Sequence, residues 1–151
     1  MTVELITAAT PELHEAMGRL LPQLSRSAAP MSEADVERFL SQSSVHLFVF
    51  RAETADADGN NPILGMLSLA TFEIPTGVRA WVEDVVVDEA ARGQGAGLAL
   101  VEAAIEHAKT IGARTVDLTS RPTREAANRL YRRAGFQLRE TNVYRVTLEK
   151  K

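Results

Sequence analysis

The chain has 151 residues, 45% of them hydrophobic and 25% charged, and a formal net charge of −3. That length suits one domain with a sizeable core, and the acidic balance gives no electrostatic reason to expect nucleic acid as a partner. Cysteine is absent, which excludes disulfides, thiolate metal sites and a cysteine nucleophile, and no run of about 18 apolar residues exists to cross a membrane.

The first residues, MTVELITAATPEL, have neither the basic start nor the apolar stretch of a signal peptide, so the expected location is cytoplasmic. Val3 to Ala8 alternates as a short strand. Thr10 offers a hydroxyl cap with Pro11 at the first helical position, predicting a helix to Leu24 with Leu13, Met17, Leu20, Leu21 and Leu24 at helical spacing. After the polar break SRSAAP, Ser32 with Asp35 suggests a capping box for a second short helix ending near Ser41. Val45 to Phe50 is β-prone, and ETADADGNN reads as an exposed turn. Ile63 to Phe72 predicts the next strand, IPTG a loop, and Ala80 to Val87 the fourth strand. A helix carrying Leu98, Val101, Ile105, Ala108 and Ile111 on one stripe should stop at Gly112. Thr115 to Thr119 predicts a fifth strand, Arg124 to Arg133 a helix closed by Gly135, and Phe136 to Leu148 one or two last strands. With no repeat, low-complexity segment or linker, residues 1–151 read as one α/β domain with a mixed sheet.

Between the fourth strand and its helix lies DVVVDEAARGQGAGL (Asp84 to Leu98), with glycines at 93, 95 and 97. Removing the β-carbon lets backbone N–H groups approach a ligand together, and at a helix start those groups are unpaired and carry the positive end of the helix dipole. The result is an anion site suited to diphosphate. Two familiar phosphate loops fit badly. The Walker pattern ends in Gly-Lys-Ser/Thr, whereas Gly97 is followed by Leu98 and Ala99. The dinucleotide fingerprint is G-x-G-x-x-G on a first strand, whereas this is G-x-G-x-G after a fourth.

RGQGAG (Arg92 to Gly97) matches the pattern Arg/Gln-x-x-Gly-x-Gly/Ala and resembles the GNAT superfamily of N-acetyltransferases. The segment WVEDVVVDEAARGQGAG is similar to that family's fourth strand and pyrophosphate loop, and NRLYRRAGF (Asn128 to Phe136) to its second signature, a helix bearing Asn and Tyr that ends in Gly-Phe. These motifs cover Trp81 to Phe136; the amino-terminal half matches only in layout. The resemblance implies a GNAT-like fold with a mixed, mostly antiparallel central sheet, splayed fourth and fifth strands and flanking helices.

It also implies acetyl-CoA as co-substrate, lying between those two strands. The backbone of Val85, Val86 and Val87 would pair with the pantetheine arm, the Val86 N–H foremost in polarising the thioester carbonyl, because backbone donors aimed at a developing oxyanion are a strong catalytic device. Amides of Arg92, Gly93, Gln94, Gly95, Ala96, Gly97 and Leu98 would cradle the pyrophosphate, and Asn128 would reach the cofactor arm. Tyr131 would be the general acid toward the departing thiolate. A phenol pKa of about 10 lies above a thiol's of about 8.5, so a positioned hydrogen bond, not acidity, is what would count. Glu83 and Asp84 are the candidates to relay the proton of a cationic amine. Strict alternation puts them on opposite faces; a bulge, which the family has in this strand, changes that count. Glu83 is preferred over Asp84.

His14, His46 and His107 are scattered without ligand spacing, so they read as three independent histidines and no metal is expected. No Ser sits in a G-x-S-x-G elbow. The basic run from Arg121 to Arg133 reads as a solvated face, with the CoA 3′-phosphate or an acidic acceptor group as the functional alternatives. The expected activity is acetyl transfer to a small-molecule primary amine by direct attack in a ternary complex. The alternatives are a protein N-terminus or lysine as acceptor, and a non-catalytic acyl-CoA sensor, against which Glu83, Asp84 and Tyr131 argue. Segments Ser25 to Met31 and Ile74 to Gly77 carry no readable acceptor code. A homodimer is expected with Val143 to Leu148 at or near its interface, because a terminal strand exposes an edge unless covered. The alternative is a last strand completing its own sheet beside Phe136 to Arg139.

Overall fold

The computed structural model describes residues 2–149. Its elements are β1 (Thr2–Ile6), α1 (Pro11–Leu24), α2 (Glu33–Leu40), β2 (Val45–Arg51), β3 (Ile63–Ile74), β4 (Gly77–Val87), a 3-10 turn (Glu89–Ala91), α3 (Ala96–Thr110), β5 (Thr115–Asp117) and α4 (Glu125–Arg133). The helix starts follow the capping chemistry of the sequence. Thr10 Oγ1 accepts the Leu13 N–H at 3.1 Å. Ser32 and Asp35 form the reciprocal box, with Asp35 N–H donating to Ser32 Oγ at 3.0 Å and Ser32 N–H to Asp35 Oδ2 at 2.9 Å. The Ser32 N–H, and after it Arg38, hold the Asp35 carboxyl down at about 2. IPTG is not a free loop: β3 runs on to Ile74 and pairs it with Gly77, leaving Pro75 and Thr76 as a tight hairpin connection. Cross-strand pairing carries the ladder past the apolar stretch that hydropathy marks.

The sheet order is β1-β2-β3-β4-β5. The first three pairings are antiparallel and β4–β5 is parallel. That last ladder joins only Arg79↔Thr115, Ala80↔Val116 and Trp81↔Asp117. From Val82 to Val87, β4 runs on with no strand beside it on that side, which is the splay.

Strand alternation divides the core into two layers. Phe48, Phe50, Leu67, Leu69, Ala80 and Val82 pack under α3 together with Tyr131 of α4. On the other face, Leu47, Val49, Ile63, Met66 and Val86 meet Leu13, Met17 and Leu20 of α1 and Val36 of α2. At roughly 1.5–3 kcal/mol for each fully buried side chain of this size, both layers contribute substantially to stability.

The strands expected after α4 are not formed. Residues 136–149 belong to no strand, and Leu138, Val143, Tyr144, Val146 and Leu148 are all exposed, Leu138 and Tyr144 at 90% and 89%. Alternating sequence marks β-preference, but a strand exists only through a partner, and this segment has no ladder with its own sheet.

Candidate active site

β4 changes phase in mid-strand. Ala80 and Val82 face α3, yet Val86, of the same parity, faces α1 and α2. The cause is a bulge: Ser68 pairs with Glu83 while Met66 pairs with Val86, so Leu67 stands opposite both Asp84 and Val85. Asp84 makes the extra step at φ 50° and is the only non-glycine residue at positive φ among the described residues. That left-handed region is uncommon for residues with a β-carbon, Asp and Asn being the tolerated exceptions.

The bulge also turns the backbone. Before it, the Val78 carbonyl accepts the Arg114 N–H at 2.9 Å, so even-numbered residues point their peptide groups toward β5. After it, the Asp88 N–H donates to the Leu64 carbonyl at 2.7 Å, so even-numbered residues point toward β3. The Val86 N–H, expected as the polarising donor, is thereby turned toward Met66 in the ladder. Val85 and Val87 instead present their peptide groups to the splay. The bulge thus reverses the parity that uninterrupted alternation gives.

Beyond Val87 the chain enters the glycine loop. Gly93 at φ 85° and Gly95 at φ 77° occupy the left-handed region, and Gly95 is the N-cap of α3 with no side-chain cap. The N–H groups of Gly93, Gly95, Ala96, Gly97 and Leu98 have no acceptor among the described residues. This row of unpaired donors at a helix N-terminus is of the kind that binds a diphosphate. Gly97 does different work: it is helical, and a β-carbon there would lie 2.7 Å from Leu130 Cδ1, so its bareness lets α4 close on α3. Asp88 moors the loop to α1. Its carboxylate accepts from Arg19 at 3.1 Å and from the Ala90 N–H at 2.9 Å, while Gln23 Oε1 accepts the Glu89 N–H at 3.1 Å. The Ala90 N–H, opposed by burial and joined by Arg19, holds the Asp88 carboxyl below its ordinary value.

On the α1–α2 face a cavity of about 130 Å³ opens beside the bulge, walled by Met17 and Leu21 of α1, Met31, Phe39 of α2, Leu47 and Met66, with Ser68 and Asp84 as its polar groups. The His14 ring, donating from Nε2 to the Met31 carbonyl at 2.8 Å, fixes the segment that brings Met31 there. Asp84 lines this cavity; Glu83 does not, and accepts the Trp81 indole N–H at 2.8 Å instead. These walls are what sequence reasoning missed. Met17 and Leu21 read as core positions on the α1 stripe, and nothing in the sequence brings Met31 or Met66 beside Asp84.

Tyr131 packs on the opposite face, 8% exposed, edge-on to Phe136 with ring centroids 6.0 Å apart. Its hydroxyl makes no hydrogen bond among the described residues, and burial, partly offset by the Arg124 charge, pushes the phenol above its ordinary value. Asn128 is half-buried and commits its amide N–H to the Arg121 carbonyl at 3.0 Å, bracing the turn before α4. Arg92, Gln94, Arg121 and Arg124 are exposed. The histidines are not independent: His46 of β2 and His107 of α3 lie with ring centroids 4.5 Å apart, and burial first, then His107, lowers the His46 pKa. The arrangement therefore joins an amide-lined anion cradle, a strip of unpaired backbone and two faces bearing Asp84 and Tyr131.

The Acetyltransferase (GNAT) family matches residues 12–136 of the chain. No curated protein shows a significant match. Among solved structures the chain is similar to an acetyltransferase from Trypanosoma brucei, at 27% identity and TM-score 0.75 over 97% of this chain and 100% of that one. An aminoglycoside acetyltransferase from an uncultured soil metagenomic sample, in complex with sisomicin, has the same fold at 19% identity and TM-score 0.80, covering 99% and 96%. So does glucosamine-6-phosphate N-acetyltransferase from Arabidopsis thaliana, at 19% identity and TM-score 0.76, covering 97% and 99%. With the family's span taking in the bulged strand, the glycine loop and Tyr131, the chain belongs to the GNAT family of N-acetyltransferases and is an acyltransferase.

Proposed function

We propose that the chain transfers the acetyl group of acetyl-CoA to a primary amine of a small molecule by direct attack in one ternary complex. The observation that carries this is the backbone of β4, which offers Val85 and Val87 to the splay and leads into the unpaired amides of Gly93 and of Gly95 to Leu98. Acetyl-CoA supplies an activated thioester. The amides cradle its pyrophosphate, the Val87 peptide aligns its arm, and the Val85 N–H polarises the carbonyl, a donor role usually worth several kcal/mol in such sites. Asp84, at the cavity, takes a proton from the ammonium so that nitrogen can attack; Glu83 is the relay to solvent. Tyr131, kept protonated by burial, donates to the sulfur as it leaves. One C–N bond replaces one C–S bond; the ammonium gives up two protons to solvent, one through Asp84 before attack and one as the adduct collapses to the amide, while the thiol gains one from Tyr131, which is reprotonated from water. A walled cavity favours a small molecule over a folded protein surface as acceptor.

Tyr131→Phe tests the reading. It keeps the ring packing and removes only the hydroxyl, so turnover should fall by about 10²–10⁴-fold with acetyl-CoA affinity unchanged by calorimetry. Undiminished turnover at neutral pH returns Tyr131 to a packing role.

The assembly that fits this reading is a homodimer. The exposed apolar residues of 136–149 need a partner, and β5 has a ladder on one edge only. A second copy's segment beside that edge supplies both. Light scattering giving a mass near 16.5 kDa means a monomer and ends this proposal; a doubled mass that persists after deleting the tail beyond Thr141 keeps the dimer and moves its interface.

A further inference from the structure

The walls of the acceptor cavity carry a second message, about the amine itself. The cavity is half open, and its walls are apolar except at one end. Met17 and Leu21 of α1, Met31, Phe39 of α2 and Met66 of β3 supply carbon and sulfur. The polar groups, Ser68 and Asp84, stand together at the bulged end, since Ser68 is paired with Glu83, the neighbour of Asp84. Met17, Met31 and Met66 are all the methionines among the described residues, and all three converge here.

We infer that the acceptor is a primary amine on an apolar carbon skeleton, of the arylalkylamine or alkylamine class, bound with its body among the methionines and its ammonium at Asp84. This rests on the acetyl-transfer reading above. Three arguments support it. The first is size: about 130 Å³ is close to the roughly 150 Å³ of an apolar cavity that accommodates benzene. It therefore fits one aromatic ring or a short alkyl chain. The second is polarity. A sugar amine seated here would turn the hydroxyls on its wall side against thioether and alkyl groups that offer no hydrogen-bond partner, and each group left unpaired weakens binding by about tenfold or more. The third is adaptability. Methionine side chains are flexible and polarisable and make favourable contacts with aromatic rings, so this wall suits apolar bodies that differ in shape.

The test uses the full chain with its methionine methyls isotopically labelled. Titration with 2-phenylethylamine, without acetyl-CoA, should shift the Met17, Met31 and Met66 methyl resonances, while sisomicin or glucosamine at equal concentration leaves them in place. In steady state, kcat/KM for 2-phenylethylamine should exceed that for either sugar amine by at least about tenfold, the loss expected for one unpaired hydroxyl. Leu21→Gln should raise its KM by about as much, with acetyl-CoA affinity unchanged; Met31→Gln repeats the test if that variant fails to fold. Preference for a sugar amine, or methyls that ignore 2-phenylethylamine, overturns the inference while leaving acetyl transfer intact. Failure to bind acetyl-CoA strikes the acetyl-transfer reading instead, and the methyl shifts, read without it, keep the two failures apart.

Discussion

The two halves of the candidate site are built from different materials. At the β4–α3 corner the groups on offer are backbone: unpaired amides at Gly93 and at Gly95 to Leu98 and the turned peptides of Val85 and Val87. Across β4, the cavity beside the bulge is made of side chains drawn from α1, the Met31 segment, α2 and three strands. The first half is sensitive to where a β-carbon stands and largely indifferent to side-chain identity. The second has the opposite sensitivity.

The largest expected effect breaks the backbone half. Gly95→Val places a β-branched residue at φ 77°, where side chains are strained, and re-aims the amides beside it. At about 1.5–3 kcal/mol for each charge-assisted hydrogen bond, misdirecting two of them should weaken acetyl-CoA by roughly 10²–10⁴-fold. Calorimetry on the folded variant measures it; unchanged affinity removes the cradle. Next comes the bulge. Asp84→Asn should lower kcat/KM by about 10²-fold, a typical loss for a general base, whereas Glu83→Gln should change it only a few-fold. The reverse ranking would show that the Trp81-bonded carboxylate is the base.

Gly97→Ala sharpens the contrast, because this glycine serves packing within the same loop. The added methyl meets Leu130 Cδ1, the free end of a half-buried side chain that can swing aside, and alanine is favoured over glycine in a helix by about 1 kcal/mol, so stability should change by no more than about 1 kcal/mol, with acetyl-CoA affinity of the folded protein retained. Denaturant titrations of Gly97→Ala with and without Leu130→Ala measure what the contact contributes. The smallest effect lies away from both halves. Folding lowers the His46 pKa, through burial and the neighbouring His107, so the unfolded chain binds that proton more readily. Stability is then full above the unfolded value of about 6.5 and declines as pH falls through it toward the lower folded value. Melting temperature followed from pH 8 to pH 5 should fall in the parent and fall less in His46→Phe.

The same division explains what the sequence disclosed. Glycines at 93 and 95 announce an anion loop because few residues tolerate the backbone they impose, and Thr10, Ser32 and Gly112 set helix ends through local hydrogen bonds and local φ. A bulge is legible only as a possibility, because its position depends on the β3 partner: which of Val85 and Val86 faces the splay, and which of Glu83 and Asp84 lines the cavity, is set by where β3 skips a residue. The Met17–Met31–Met66 wall was illegible because each of its members has an adequate local reason to be apolar. The segment after α4 shows the limit from the other side: Val143, Tyr144 and Val146 alternate as a strand does, yet pair with nothing in their own sheet.

In the proposed reaction, acetyl passes directly from thioester to amine on a scaffold that holds both. Incubating the protein with acetyl-CoA alone, then with 2-phenylethylamine, polyamines, amino acids and peptides in turn, tests it when free thiol, N-acetyl product and intact protein mass are followed together. The prediction is no thiol release and no acetyl group on the protein until a suitable primary amine is added, then one N-acetylated amine for each CoA released. An acetylated protein that passes its acetyl group on to the amine, or no release with any amine while acetyl-CoA binds, would contradict it.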